Sequence, residues 1–284
     1  MSNRRPVGAR RRFNIGRWVR HTLAVLIALA FLVPLLWTLL ASVSTSSEVY
    51  TFPPRLPSWQ WSNYSRAWEA SPYWLRYYGN TVFIAACVVA LTCTTSVLAG
   101  FAFAVMRFPG RRFFFLLVMS VMMVPHTVLL IPNFLIARRL GLYDTYLIQI
   151  LPWAASVFGI FLLRQFFSTL PKELFEAAEL DGAGPLRTLW SVALPLAKPS
   201  IALVALNSFV GSWNSFIWPY IMTKREEIRP IEVGLQTFYN ANGTDWTMLC
   251  AAITFTTLPI IIVFLFLNRY FVAGISGVEG AVRG

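Results

Sequence analysis

Six apolar runs of about twenty residues, none with a charge in its middle, lie near Thr22–Val43, Thr81–Met106, Phe113–Ala137, Tyr146–Leu163, Ser200–Met222 and Thr247–Leu267. A helix rises 1.5 Å per residue, so about twenty residues cross a hydrocarbon core of about 30 Å. Lipid supplies no partner for a free N–H or C=O, and a helix satisfies its own backbone. The runs therefore predict an all-α polytopic membrane protein with six spans. A composition of 57% hydrophobic and 13% charged residues agrees.

The first run follows Arg4, Arg5, Arg10, Arg11, Arg12, Arg17 and Arg20. A secretory leader also begins basic, but its apolar core is about 7–15 residues. This run is long enough to span, so residues 1–20 read as a basic tail and 21–284 as the membrane domain. The net charge of +12 is spread over many short loops and lies on no single face, which argues against nucleic-acid binding. With the N-terminus inside, cytoplasmic loops collect sixteen of the 24 Lys and Arg residues, which places both termini in the cytoplasm. Cys87, Cys93 and Cys250 all fall in apolar segments, and only His21 and His126 could add imidazoles, so neither a disulfide framework nor a metal site is expected.

Prolines 34, 125, 132, 152, 219 and 259 lie in or near the runs. A bundle tolerates the kinks they impose because neighbouring helices satisfy the freed carbonyls. The aromatic segment 50–79 suits a membrane interface, and 223–246 reads as an exposed polar loop. Asn242-Gly243-Thr244 fits a glycosylation sequon, which we read as chance.

One polar interlude breaks the pattern: PKELFEAAELDGAGPLRTLWSVALPLAKPS, residues 171–200. A charged side chain at mid-bilayer costs about 2.5–3.5 kcal/mol, so this segment belongs in water between two spans. Pro171 can open a helix, and Glu173 and Glu176 then fall where the helix dipole favours negative charge. Leu174, Phe175, Ala178 and Leu180 form one apolar face. Asp181-Gly182-Ala183-Gly184-Pro185 breaks the helix, since glycine permits positive φ and proline fixes the restart. A second amphipathic stretch, Leu186–Leu194, leads through Pro195 and Pro199 into the next span. The result is an elbow with one adhesive face.

Glu176-Ala177-Ala178-x-x-Asp181-Gly182-Ala183, followed by Leu194-Pro195 and Pro199, resembles the EAA loop of bacterial ATP-binding-cassette import permeases. The chain from about Trp37 onward is similar to the carbohydrate-uptake subfamily, the group of the maltose permease's smaller subunit. The supporting stretches are Ser62-Asn63-Tyr64, Arg107-Phe108-Pro109-Gly110, Trp213-Asn214, Val233-Gly234-Leu235-Gln236 and Arg269-Tyr270-Phe271-Val272-Ala273-Gly274. The cytoplasmic tail 274–284 departs from the subfamily's usual ending by two extra residues and an acidic Glu279.

The resemblance implies a type I importer permease for a mono-, di- or oligosaccharide, and residues 171–199 as the cytoplasmic loop that couples it to a motor. Glu176, Ala177, Ala178, Asp181, Gly182, Ala183, Leu194 and Pro195 would form that contact. The implied partners are a second permease subunit, two ATPase subunits and an extracytoplasmic substrate-binding protein, at a bacterial plasma membrane. The sequence contains no G-x-x-x-x-G-K-[ST] phosphate loop. ATP and magnesium are accordingly expected on the partner ATPases, with no cofactor and no catalysis in this chain.

The fifth run holds Asn207, Ser208, Ser212, Trp213, Asn214 and Trp218. Amides bond hydroxyls and indole faces stack on sugar rings, so these residues suit a cargo pathway. Interhelical packing uses the same residue types. A non-sugar solute such as a glycerol phosphate ester keeps the mechanism and changes the cargo. An ion-coupled carrier ordinarily places an acidic residue within a span, and none of the six runs has one. An intramembrane enzyme would need a partner for His126, which has no acidic or thiol neighbour in sequence.

Overall fold

The computed structural model describes residues 15–52, 56–240 and 243–281. Most of the basic tail, Asn242 of the sequon and the side chains of the tail from Gly274 onward lie outside the described residues. Among the described residues the regular elements are all helices apart from a two-residue antiparallel ladder, Tyr239–Asn240 against Gly243–Thr244.

Among the described residues four helical stretches are long and apolar enough to cross a membrane: Val19–Ser42, Trp74–Ala104, Tyr146–Thr169 and Trp246–Phe266. A fifth arises when Pro185–Leu196 and Lys198–Trp213, bent by 82°, count as one span. The remaining run, expected as one span over Phe113–Ala137 with kinks at its prolines, is broken. It consists of Arg111–Ser120, a 3-10 turn at Val121–Met123, and Leu130–Arg139. Pro125 explains the gap, since Val124 before it takes extended geometry (φ −92°, ψ 115°) and cannot continue the helix. Two more runs break in the same way. Tyr146–Ile150 passes through Leu151–Trp153, with Pro152 in the turn, before Val157–Thr169 begins, and Lys198–Trp213 stops two residues short of Phe216, which caps Ile217–Met222.

Local chemistry marks the restarts. The hydroxyls of Thr145 and Ser156 accept from Ile148 N (3.4 Å) and Gly159 N (3.1 Å), and the Asp245 carboxylate accepts from Met248 N (3.1 Å). Each cap satisfies a backbone donor that the first helical turn leaves free.

Two clusters hold the bundle together, one at each end. At the end where Trp74–Ala104 begins, Trp74, Tyr77, Trp213, Ile231, Phe238 and Leu249 are buried together. At the opposite end Val97, Phe101, Leu163, Phe167, Leu189, Ala193 and Val204 form the second core. At this second core, helices Trp74–Ala104 and Val157–Thr169 approach too closely for side chains. A Cβ built on Gly100 would lie 2.9 Å from Leu163 Cβ, and one on Gly159 would lie 2.4 Å from Ser96 Oγ. Small residues at such a crossing let backbones meet where no hydrophobic force drives helix association. The first helix contributes little to either core. From Val19 to Leu40 it is exposed except at half-buried Thr38, as befits a lipid-facing span.

Candidate functional site

The three breaks converge. Val124 and His126, Pro152, Trp153, Ala155 and Ser156, and Ser215 all line one cavity of about 520 Å³. Thr81, Ile84, Val88 and Thr92 of helix Trp74–Ala104 form its back wall. Irregular backbone at membrane depth survives only where protein or a cavity satisfies it, and the wall does so here. Thr92 Oγ1 donates to Trp153 O (2.7 Å) and Thr95 Oγ1 to Ala154 O (2.8 Å).

Asn207, Ser208, Ser212 and Trp218, all singled out from sequence, lie on the cavity wall. Trp213 and Asn214 do not. Trp213 is 1% exposed within the first core, its ring 5.3 Å from that of Phe209, because its position follows the opposite face of Lys198–Trp213. Asn214 is exposed at the helix C-cap. Neither lines this cavity. Trp153 joins it instead, edge to face with Trp218 at 5.9 Å and 5.2 Å from the His126 ring. Among the described residues the lining contains amides, hydroxyls, indoles and one imidazole, and no Asp, Glu, Lys or Arg.

A polar strap, residues 223–231, lies across one end of the cavity, which Pro230 lines. Its backbone is held by side chains from the spans below. Asn80 Nδ2 donates to Glu227 O (2.8 Å) and Arg229 O (2.9 Å), while Tyr146 Oη donates to Asn80 Oδ1 (2.8 Å). Ile231 N donates to Thr81 Oγ1 (2.8 Å), Gln149 Nε2 to Ile228 O (3.1 Å), and Tyr77 Oη to Glu226 Oε2 (2.7 Å). Glu226 also pairs with Arg229.

The strap's outer corner is a clasp. Asp144 Oδ1 accepts from Lys224 N (2.8 Å) and Arg225 N (3.0 Å), and Oδ2 accepts from Arg225 Nε (2.9 Å). Arg225 Nη2 closes the ring on Asp144 O (2.7 Å). Asp144 takes a left-handed backbone (φ 61°) to make this contact. Partial burial pulls its carboxyl upward, but the two backbone donors and the guanidinium outweigh burial and hold it below the ordinary carboxylate value. Asn80 and Gln149 were legible in principle, as lone amides at the edge of or within apolar runs.

The elbow sits at the other end. Its first arm, Lys172–Leu180, closes in a Schellman turn: Gly182 N donates to Glu179 O (2.9 Å) and Ala183 N to Ala178 O (2.9 Å), with Gly182 at φ +73°. Its second arm runs from Pro185 through a widened π turn at Leu189–Ala193 to Leu196, and Leu189 and Ala193 anchor it in the second core. Phe175 meets Phe101 edge to face at 6.3 Å. Glu176, Ala177, Asp181, Gly182 and Pro195 are exposed, Ala183 and Leu194 half-buried, and Ala178 buried. The expected apolar face is divided accordingly. Phe175 and Ala178 turn inward, while Leu174 and Leu180 are exposed, as are Leu186 and Trp190 of the second arm.

Residues 96–277, which include the elbow and most of the cavity wall, match the family "Binding-protein-dependent transport system inner membrane component". The chain belongs to this family of inner-membrane permeases. The permease is 38% identical over 216 residues to the arabinooligosaccharides transport system permease protein AraQ of Halalkalibacterium halodurans, 76% of each chain. It is 33% identical over 269 residues to the sn-glycerol-3-phosphate transport system permease protein UgpE of Yersinia pestis, 91% of this chain and 95% of that one. In structure it resembles a bacterial ATP-binding-cassette transporter that imports the acidic polysaccharide alginate, with a TM-score of 0.77 and 27% identity over 94% of this chain and 100% of that one. A second alginate transporter structure, in complex with an alginate pentasaccharide-bound periplasmic protein, shares the fold at a TM-score of 0.56 and 16% identity. The permease is thus a multi-pass inner-membrane subunit that works with a binding protein and catalyses no reaction itself; ATP hydrolysis belongs to a separate subunit.

Proposed function

We propose that this permease forms part of the transmembrane path of a sugar importer and passes ATP-driven motion from its elbow to its cavity. The observation that carries the reading is the cavity itself, a space of about 520 Å³ where three spans break and where amides, hydroxyls and two indoles face the same volume. Hydroxyl-rich cargo needs that combination of hydrogen-bonding groups and flat apolar faces. Breaks in the helices allow the surrounding segments to tilt without unpairing whole spans. The names of the arabinooligosaccharide and alginate relatives support carbohydrate as the cargo.

The elbow supplies the drive. Glu176, Ala177, Asp181, Gly182 and Pro195, together with Leu180, Leu186 and Trp190, offer the docking surface for an ATPase. Ala178, Ala183 and Leu194 fix the elbow's shape and its attachment to the bundle. In the assembly this permease pairs with a second permease, two ATP- and magnesium-binding ATPases and an extracytoplasmic binding protein, with the elbow and both termini in the cytoplasm. The strap then closes the cavity's outer end.

The test is reconstitution of the four-component complex in nanodiscs, with thermal shift of the cognate binding protein used to choose the cargo. Arabinotriose, maltotriose, glycerol 3-phosphate and a mannuronate trisaccharide form the panel. ATP hydrolysis stimulated by a sugar-loaded binding protein is the expected result. A binding protein that responds to no carbohydrate, or labelling of a cysteine placed at Glu176 from the outer face, overturns the reading.

A further inference from the structure

We propose that Gln149 is a specificity residue for neutral sugar cargo, reading a cargo hydroxyl with its carbonyl oxygen while its N–H holds the outer strap. The inference rests on the sugar-importer reading above and adds to it the residue, the charge class of the cargo and the link to the strap.

Gln149 lies in the short helix Tyr146–Ile150, one turn before the Pro152 break, and is 3% exposed. It lines the cavity. Its two amide atoms are in different situations. Nε2 donates to Ile228 O of the strap at 3.1 Å. Oε1, buried from solvent, has no hydrogen-bond partner. A buried carbonyl ordinarily has one, and an orphaned acceptor on a residue of the cavity wall is satisfied when the interrupted segments around it part and a cargo donor reaches it. Hydroxyls suit it, because the bond to Ile228 commits one N–H of the amide and the carbonyl oxygen still lacks a donor.

The rest of the wall narrows the class. Around Gln149 stand Thr81, Ser208, Ser212, Trp153 and Trp218, and no cationic side chain among the described residues faces the cavity. A phosphate or uronate held there would lose its water and gain no counter-charge, which burial penalises heavily. A neutral pyranose or furanose needs only acceptors, donors and flat apolar surface. The wall of this subunit therefore selects against the anionic cargoes named for two of its relatives and for an uncharged one.

The bond to Ile228 adds a consequence. A cargo hydroxyl on Oε1 and the strap carbonyl on Nε2 then share one amide, so a donor on the oxygen strengthens the N–H bond that holds the strap across the cavity. Cargo in the cavity and closure of the strap are thereby coupled through one side chain.

The experiment uses the whole reconstituted complex and the neutral sugar that its binding protein accepts. Uptake of that sugar is compared with uptake of its monodeoxy analogues at saturating binding protein. In the wild type one analogue is expected to move roughly 2–10-fold more slowly, the range that one hydrogen bond supplies. Gln149→Met, close in volume but without the carbonyl, is expected to erase that discrimination. Thr92→Val, which alters a cavity-lining hydroxyl already bonded to Trp153 O, is expected to slow all sugars alike and keep the discrimination. Equal slowing of every sugar in Gln149→Met assigns the residue a packing role and overturns the proposal. In the wild-type complex, hydrogen exchange of strap amides 224–231 is expected to slow when the neutral sugar is present, and unchanged exchange overturns the link to the strap even if the variant fails to assemble. A binding protein that prefers glycerol 3-phosphate or mannuronate overturns the neutral-cargo assignment, and mannuronate alone would do so while leaving the sugar-importer reading intact.

Discussion

Gly182 separates two effects that a single substitution would confuse. It holds φ +73° at the elbow's turn, and a Cβ built on it meets no atom within 4 Å. Substitution there meets no clash, so two terms remain: backbone strain and whatever docks outside. Alanine in the left-handed region costs about 1–2 kcal/mol, whereas Asn and Asp enter it more readily. A cost of that size lowers the population of the native turn by roughly 5–30-fold against its alternatives. Backbone strain alone therefore ranks Gly above Asn and Asp, with Ala worst. A docked ATPase gives a different order, because an added carboxylate would join exposed Glu176, Glu179 and Asp181 at the contact. The assay is ATP hydrolysis by the nanodisc complex, stimulated by cargo-loaded binding protein, with assembly checked by size-exclusion chromatography. Gly182→Ala is expected to weaken stimulation, Gly182→Asn to retain most of it, and Gly182→Asp to abolish it with the complex still inserted. Full uptake with Gly182→Asp would refute the docking role. Wild-type stimulation with Gly182→Ala would refute the strain argument.

Further outcomes are expected at the clasp, at the helix crossing and on the elbow. At the clasp, Asp144→Asn should be mildest, Asp144→Gly intermediate because it relieves the positive φ while losing the bonds, and Asp144→Ala worst at about 1–2 kcal/mol, measured as thermal melting of the purified complex. Because the Asp144 carboxyl is held below its ordinary value of 3.8, its contribution is complete above that pH and is lost as pH falls through the lowered value; a melting temperature that falls with acid no more steeply in wild type than in Asp144→Asn would contradict this. Gly100→Ala places a Cβ 2.9 Å from Leu163 Cβ and 3.0 Å from Arg164 N, so overpacking should lower stability by about 1–3 kcal/mol in the same melting assay. Trp190→Ala removes an indole that is 66% exposed on the elbow, and it should weaken ATPase co-purification while leaving the melting temperature of the isolated permease within a degree or two of wild type.

What the sequence revealed and concealed follows from the period of the physical signal. Twenty apolar residues announce a span, so the long apolar stretches were legible, but a proline inside such a run reads equally as a kink or a stop. Pro34 and Pro259 stay inside continuous helices, while Pro125 and Pro152 lie at breaks, and only the walls around them decide which occurs. The elbow was legible because glycine and proline punctuate it, though not the burial of Ala178 or the exposure of Leu180, which depend on which face meets Phe101. In the fifth run Asn207, Ser208, Ser212 and Trp218 share the cavity face, but Trp213 and Asn214 fall off it, because composition does not state where the helix stops. Asp144 and Gln149 gave no local signal of their partners, which lie about eighty residues away in the strap.

Helix Trp74–Ala104 joins these pieces mechanically. Its first turns carry Tyr77, Asn80 and Thr81, which hold the strap; its middle carries Ile84, Val88 and Thr92, which form the cavity's back wall; its last turns carry Phe101, which meets Phe175 of the elbow. An unbroken helix is stiff along its axis, whereas the three segments facing it are interrupted beside the cavity. Force entering the elbow in the proposed mechanism then divides between two routes. It passes through Phe101 to the rigid helix and the strap, and through Leu189 and Ala193 to the bent segment that begins at Lys198 and carries Ser208 and Ser212. Because one route is stiff and the other hinged, the same push changes the separation between the two cavity walls. A glycine pair placed in the middle of Trp74–Ala104, at half-buried Val89 and exposed Ala90, should therefore uncouple ATP hydrolysis from uptake while both partners still bind. Unchanged hydrolysis and uptake in that variant would show that motion reaches the cavity by the hinged route alone.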